Sequence, residues 1–304
     1  MSTTTKSKDA ESWKAWTRRK VVRWVKVLGV LYVAMLLGTC MVQEKLIFPG
    51  GWMTQGKPEA VVQPMGDTEL VELRTASGEK VFVHYGVALT SGGKRREDAV
   101  TCPTILYFYG NAMCLNSTAW EMESFRRLGA NVAIAEYVGF GMAEGKPSEK
   151  GCYETADAAL MWLEQRGVPQ EKVIAVGWSL GAAVACDTAG RYELGGLVIC
   201  SGFSSLDAWA RQKYWFFPTG WMLRHHFRSV AKIGRAHGPI LIVHGTHDTL
   251  IPYQMSLDLQ AAAEKAGRKV THLAISSGHN DLYQAGNAEI LRAMEQVVQE
   301  VRGK

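Results

Sequence analysis

Val173-Ile174-Ala175-Val176-Gly177-Trp178-Ser179-Leu180-Gly181-Ala182-Ala183-Val184-Ala185 passes from a largely β-branched run, through a five-residue G-x-S-x-G turn, into small helix-forming residues. A serine held on a tight strand-to-helix turn sits in strained backbone, and glycines two positions to either side leave room for the neighbouring strand and helix. The N-terminus of the following helix offers unpaired N–H groups and a favourable dipole to developing negative charge. Ser179 is therefore the candidate nucleophile.

A serine hydroxyl is a weak nucleophile at neutral pH, so this reading requires a base, an acid that orients the base, and donors for an oxyanion. The strand-like run Leu241-Ile242-Val243-His244-Gly245 leads into Thr246-His247-Asp248, which puts Asp248 at a strand's C-terminal end. Val270 to Ile275 then leads into Ser276-Ser277-Gly278-His279. The order Ser179, Asp248, His279 is the one a nucleophile-elbow enzyme needs, with His279 as general base. His244 and His247 border the acid turn, where packing or hydrogen bonding is their expected role, and Asp281 follows the histidine in the wrong order. Upstream, Ile105-Leu106-Tyr107-Phe108 ends in Tyr109-Gly110-Asn111-Ala112. The backbone N–H groups of Asn111 and Leu180 are the expected oxyanion donors. The chemistry calls for no metal and no organic cofactor.

From Thr104 onward, apolar strand-like runs near 104–109, 131–137, 172–178, 196–201, 239–244 and 269–275 alternate with helical stretches near 117–128, 153–166, 254–266 and 286–302. This alternation predicts an α/β fold with a mostly parallel central sheet and helices on both faces. Two earlier runs, Glu69–Arg74 and Lys80–Ala88, joined by a Ser77-Gly78 turn, predict an antiparallel start. Leu206 to Ile233 breaks the alternation with Trp209, Tyr214, Trp215, Phe216, Phe217, Trp221 and Phe227 beside Arg211, Lys213, Arg224 and Arg228. It reads as a small helical cap, expected to line an acyl-accepting pocket and to touch a membrane surface.

Composition places the basic charge at one end. The 304 residues are 47% hydrophobic and carry a net charge of +5. Residues 1–26 hold eight Lys or Arg against two acids, a local +6, so the remaining 278 residues are near −1 (5 − 6). That distribution argues topology rather than a nucleic-acid partner. From Val27 to Val42 the chain has no charge. A helix begun at Val21 would be about 33 Å long, enough for a ~30 Å hydrocarbon core if Arg23 and Lys26 snorkel outward. The expected organisation is a basic tail over 1–20, a transmembrane anchor over 21–42, and a catalytic domain over 43–304 carrying the cap at about 206–233. The positive-inside rule predicts a single-pass protein with its N-terminus cytoplasmic and its catalytic domain outside the cytoplasm. Leu37-Gly38-Thr39-Cys40 resembles a lipoprotein cleavage box, although threonine before the cysteine is unusual. The other five cysteines have no disulfide-framework or metal spacing, and nothing requires a Cys102–Cys114 bridge. Asn116-Ser117-Thr118 reads as an N-glycosylation sequon or as a helix cap.

Together with Leu46-Ile47-Phe48-Pro49, Glu136-Tyr137-Val138-Gly139-Phe140-Gly141 and Gly145-Lys146-Pro147-Ser148-Glu149, these motifs make the chain resemble single-pass membrane serine hydrolases of the α/β-hydrolase superfamily. The resemblance extends to monoacylglycerol lipases, membrane acyl-protein thioesterases and prolyl-oligopeptidase-like enzymes, and covers nearly everything after the anchor. It implies the α/β-hydrolase fold and cleavage of small-molecule carboxylic esters or thioesters, with lipid-like acyl substrates expected, through Ser179, Asp248 and His279. The same triad would serve a serine peptidase or an acyltransferase, and a catalytically silent binding module would keep the fold. Two positions depart from the family pattern. Tyr109 stands where histidine is usual, and Val138 where arginine is usual, both expected near the oxyanion loop or its support.

Overall fold

The computed structural model describes residues 4–64 and 66–303. The chain falls into two units, one ending at Gln43 and a larger one beginning at Glu44. The first unit lies on α1 (Thr4–Ile47), a 44-residue helix. Helix therefore extends back through the basic stretch expected as a tail, where Ala, Lys, Glu and Arg are good helix formers. Its segment Trp16–Ile47 is long and apolar enough to cross a membrane, and its apolar window is not buried inside the protein. The last turn of α1, Glu44 to Ile47, belongs to the second unit, as does α2 (Pro49–Thr54).

The second unit is built on eight strands: β1 (Thr68–Arg74), β2 (Lys80–Gly86), β3 (Thr104–Phe108), β4 (Asn131–Glu136), β5 (Val173–Trp178), β6 (Gly196–Cys200), β7 (Ile240–Gly245) and β8 (Val270–Ile275). They lie in the order β1-β2-β4-β3-β5-β6-β7-β8. β2 is antiparallel to β1 and β4, as the Ser77-Gly78 turn predicted, and every pairing from β4 to β8 is parallel. Every residue of β3, β4, β6 and β7 is buried, which requires cover on both faces. On one face α4 (Glu149–Gln165) packs against α5 (Leu180–Arg191), which lies on β5 and β6. On the other, Trp120 of α3 (Ala119–Arg126) meets Tyr283 of α9 (Leu282–Arg302), with ring centroids 4.9 Å apart.

Helix starts depart from the expected positions for local reasons. α4 begins four residues early because Ser148 Oγ accepts the Gly151 N–H at 2.9 Å, satisfying one of the donors a helix N-terminus leaves open. α9 begins at Leu282 and is interrupted at Gly286, whose backbone (φ −122°, ψ 16°) is non-helical. Asn116 does not cap α3. Its amide donates to the Glu59 carbonyl, and Thr118 occupies the N-cap position. The six cysteines are free, so Cys102 and Cys114 are not bridged.

Between β6 and β7 the stretch expected as a cap forms α6 (Leu206–Lys213), α7 (Thr219–Met222) and two short 3-10 turns. Its aromatic residues divide into two groups. Phe227 is fully buried against Phe48, Tyr153 and Phe203, whereas Trp215 is 82% exposed. α6 leans on the loop after β7, with the Trp209 indole donating to the Leu250 carbonyl at 2.8 Å and Lys213 Nζ to the Thr249 carbonyl at 2.5 Å.

The tightest constraint lies where α5 leaves β5. A Cβ on Gly181 would overlap the Phe108 carbonyl oxygen at the end of β3. Gly181→Ala is therefore expected to destabilise the protein by about 3 kcal/mol, the upper range for overpacking, because backbone and not a side-chain tip would have to move. Urea unfolding of the purified protein checks this, and a change within about 0.5 kcal/mol, the ordinary scatter of neutral substitutions, would remove the argument.

Candidate active site

Ser179 lies between β5 and α5 with φ 56° and ψ −115°, a backbone strain rarely tolerated outside glycine and concentrated at functional sites. The turn is fastened by Ser179 N–H donating to the Cys200 carbonyl at 2.9 Å and by Ala182 N–H donating to the Ser179 carbonyl at 3.1 Å. Leu180 opens α5, so its N–H is one of the donors that the helix itself leaves unpaired.

Parallel sheets carry their sites at the C-terminal ends of the strands. The loops after β7 and β8 bring Asp248 and His279 to the edge where β5 delivers Ser179. His279 Nε2 is 3.0 Å from Ser179 Oγ, and His279 Nδ1 is 2.7 Å from Asp248 Oδ2. A carboxylate only accepts, so Nδ1 carries the hydrogen and Nε2 is left to accept the serine proton. All three residues are buried.

Asp248 is held by more than the histidine. Its Oδ1 accepts the Leu250 N–H at 2.9 Å and the Ile251 N–H at 2.7 Å. His244, fully buried, lies with Nε2 3.4 Å from Asp248 Oδ2 and 2.9 Å from the Ile251 carbonyl. Both neighbours are acceptors, so Nε2 of His244 carries its hydrogen. Burial opposes the charge on Asp248, but the bonds from His244, His279 and the Ile251 N–H outweigh it and hold the carboxyl well below the usual carboxylate range. The expected hydrogen-bonding role of His244 thus falls on the acid itself, while exposed His247 lies beside Thr246.

Sequence reasoning passed over Trp178. Its ring stacks on the His279 imidazole, with centroids 5.6 Å apart and planes inclined by 24°. A cation formed on that imidazole would face an aromatic π-surface. The signal was present in the motif, since the residue preceding the nucleophile shares its turn.

The loop after β3 lies against this group. A Cβ on Gly110 would stand 3.6 Å from Ser179 Cβ and 2.8 Å from the Trp178 ring, which brings Gly110 and its neighbour Asn111 alongside the nucleophile. Tyr109 hydroxyl donates to Glu136 Oε1 at 2.5 Å, the Leu115 N–H donates to the same oxygen at 3.0 Å, and Tyr137 hydroxyl donates to the Tyr109 carbonyl at 2.9 Å. Burial raises the Glu136 pKa above the ordinary range, while the bonds from Tyr109, Leu115 and Met142 pull it back. The tyrosine that replaces the usual histidine is therefore a working part of the loop's support. Val138 packs with Val81 and Ala143 in a separate apolar cluster, so the lost arginine leaves a side chain suited to that cluster and not one that supports the loop.

Comparison with known proteins bears on the fold and the family. The family model described as the prolyl oligopeptidase family matches residues 116–299, more than half of the chain. The Xenopus laevis alpha/beta hydrolase domain-containing protein 17B is 32% identical over 247 residues, covering 76% of this chain and 80% of that protein. An uncharacterized protein of Mycobacterium tuberculosis is 33% identical over 223 residues, covering 72% and 74%. Among solved structures, an esterase of Pyrococcus furiosus aligns with a TM-score of 0.61 at 17% identity, covering 79% of this chain and 94% of the esterase. A puromycin-hydrolyzing peptidase of Mycobacterium tuberculosis aligns at 0.63 and 17% identity, covering 80% of this chain and 41% of the peptidase. The chain belongs to the prolyl oligopeptidase family of α/β-hydrolases, alongside the alpha/beta hydrolase domain-containing 17 proteins.

Proposed function

We propose that the protein is a membrane-anchored serine hydrolase that cleaves carboxylic esters or thioesters of lipid-like acyl groups. The observation that carries the reading is the buried relay Ser179–His279–Asp248, with separations of 3.0 and 2.7 Å at the C-terminal edge of the sheet. In the reaction, Ser179 Oγ attacks the acyl carbonyl while its proton passes to His279 Nε2, and the imidazolium is stabilised by Asp248. The carbonyl oxygen gathers negative charge against the N–H groups of Leu180 and Asn111. Collapse breaks the bond to the alcohol or thiol, which leaves with the His279 proton. Water, deprotonated by His279, then attacks the acyl-serine, releasing the acid and returning the proton to Ser179.

The lipid-like substrate is supported by the apolar helix Trp16–Ile47 and by the exposed cap aromatics Trp215 and Phe216. The anchor would be single-pass, with the basic stretch before it on the cytoplasmic side and the catalytic domain on the other. The family description also favours a second reading, serine peptidase activity with the same three residues.

A fluorophosphonate probe is expected to label the purified full-length protein and to leave Ser179→Ala unlabelled. Across esters graded from acetyl to palmitoyl, kcat/KM is expected to rise with chain length. Failure of the wild type to label would overturn the hydrolase reading, and turnover confined to peptide amides would transfer it to a peptidase. Asp248→Asn is expected to lower kcat on the order of 10³- to 10⁴-fold, because the base loses the partner that fixes its tautomer.

Asp248 also predicts a pH dependence of stability. Its carboxyl has a lower pKa in the folded chain than the ~3.9 of an unfolded one, so its charged contacts stabilise the fold above about pH 4 and are lost as pH falls further, through the folded value. The stability difference between wild type and Asp248→Asn should stay level from neutrality to about pH 4 and shrink only below it. A difference that already declines between pH 7 and 5, measured by urea unfolding, would contradict the stated environment.

A further inference from the structure

The segment Ile47-Phe48-Pro49-Gly50, which begins on the last residue of α1, does no chemistry in the mechanism above, yet it is bonded to the loop that carries the proposed oxyanion donor. Asn111 Nδ2 donates to the Ile47 carbonyl, one of the terminal carbonyls that α1 leaves without an intrahelical partner. The carbonyl can only accept, so the amide nitrogen is the atom that faces it. In return, Gly50 N–H donates to the Asn111 carbonyl at 3.0 Å. Asn111 is thus gripped through its side chain and through its backbone by two positions three residues apart. The approach is so close that a Cβ on Gly50 would overlap the Asn111 carbonyl oxygen.

The segment is itself firmly seated. Phe48 is 1% exposed and meets the rings of His225 at 5.0 Å and Phe227 at 6.1 Å, edge to face. Phe48 N–H donates to the Glu44 carbonyl at 2.8 Å, and Glu44 pairs with Arg224 at 2.6 Å. Thr54 Oγ1 accepts the Gly141 N–H at 3.0 Å, and the Gln55 amide donates to the carbonyls of Ala143 and Gly145.

We propose that Ile47–Gly50 is a positioning strap for the oxyanion loop, so that the exit of the membrane helix sets the aim of the Asn111 N–H. The proposal rests on the serine hydrolase reading and on Asn111 as the loop donor. The bond to Gly50 fixes the peptide that carries the Asn111 carbonyl, and the bond to Ile47 fixes the side chain on the same Cα, so two of the three groups that surround the N–H are held. Release of either tether frees the N–H on the far side of the same residue. Stabilisation by an oxyanion donor depends on its aim at the position the charge will occupy, so slack in the loop is felt in the transition state and not in substrate binding.

The test uses the full-length protein in detergent, with active-site concentration titrated by a fluorophosphonate, and compares wild type, Gly50→Ala, Asn111→Ala and Gln55→Ala. Asn111→Ala keeps the backbone donor and removes only the side-chain tether, so it remains informative if Gly50→Ala fails to fold. Gly50→Ala and Asn111→Ala should each lower kcat per titrated site roughly 10- to 100-fold with KM unchanged, short of the ~10²- to 10³-fold cost of losing a donor outright. Affinity for an acyl trifluoromethyl ketone, which forms a tetrahedral oxyanion on the serine, should fall in the same proportion. Gln55→Ala, which removes only the bonds to the Ala143 and Gly145 carbonyls and leaves both Asn111 tethers in place, should keep wild-type kcat. Wild-type turnover and ketone affinity in Asn111→Ala, or an equal loss in Gln55→Ala, would overturn the strap. Absence of both labelling and ketone binding in the wild type would overturn the underlying hydrolase reading together with it.

Discussion

The structure depends on a turn that can be made only if nothing fills the space around it. Ser179 must leave a parallel strand buried up to its last residue and enter a helix within one residue, at positive φ, with the end of β3 pressed against the first turn of α5. A close-packed interior gives no slack for such a reversal, so the strain is sustained by the elements around it. β5 lies between β3 and β6 near the middle of the sheet. That position lets the loops after β3, β7 and β8 bring Gly110, Asp248 and His279, respectively, to the neighbourhood of Ser179.

Holding a charged relay in this dry setting requires its polar atoms to be satisfied. Asp248 accepts from two backbone N–H groups and from His279, with His244 Nε2 3.4 Å away, and these neighbours hold its carboxyl below the usual carboxylate range where burial alone would raise it. Glu136, under the loop after β3, meets the same problem with Tyr109, Leu115 and Met142, and there burial retains the upper hand over the pKa. The difference follows the partners. Asp248 has an imidazole on either side, whereas Glu136 faces a tyrosine hydroxyl and backbone N–H groups.

What could be read from the chain and what could not divide along sequence distance. Strands buried on both faces are continuous apolar runs, and Ser179 and Asp248 follow such runs while His279 follows the edge strand β8, so fold and candidate triad were legible from linear order. Contacts between residues far apart in sequence left no such trace. Asn111 with Ile47 and Tyr109 with Glu136 join positions separated by 64 and 27 residues, and side-chain pairing over such distances leaves no periodic signal. The early start of α4 turned on one serine hydroxyl, and the cap's aromatic residues, alike in composition, divide between a buried Phe227 and an exposed Trp215. Burial of an aromatic in an irregular segment is decided by what faces it, which composition does not record.

The loop after β3 shows how an irregular segment acquires the rigidity catalysis demands. It lacks a ladder of its own, so its stiffness comes from side chains bonded to backbone on two sides. Toward the sheet, Tyr109 and Tyr137 exchange ring packing at 4.7 Å and a hydroxyl-to-carbonyl bond, with Glu136 fixing the Tyr109 hydroxyl. Toward the chain's N-terminal side, Ile47 and Gly50 hold Asn111. A free linker after a long apolar helix would have been polar and solvated, rich in residues that favour coil. Here the residue following the helix is a phenylalanine buried between His225 and Phe227, and the next helix starts at once with Pro49. Contacts packed this closely hold the segment Ile47–Gly50 against the loop, because they either hold or break and do not stretch.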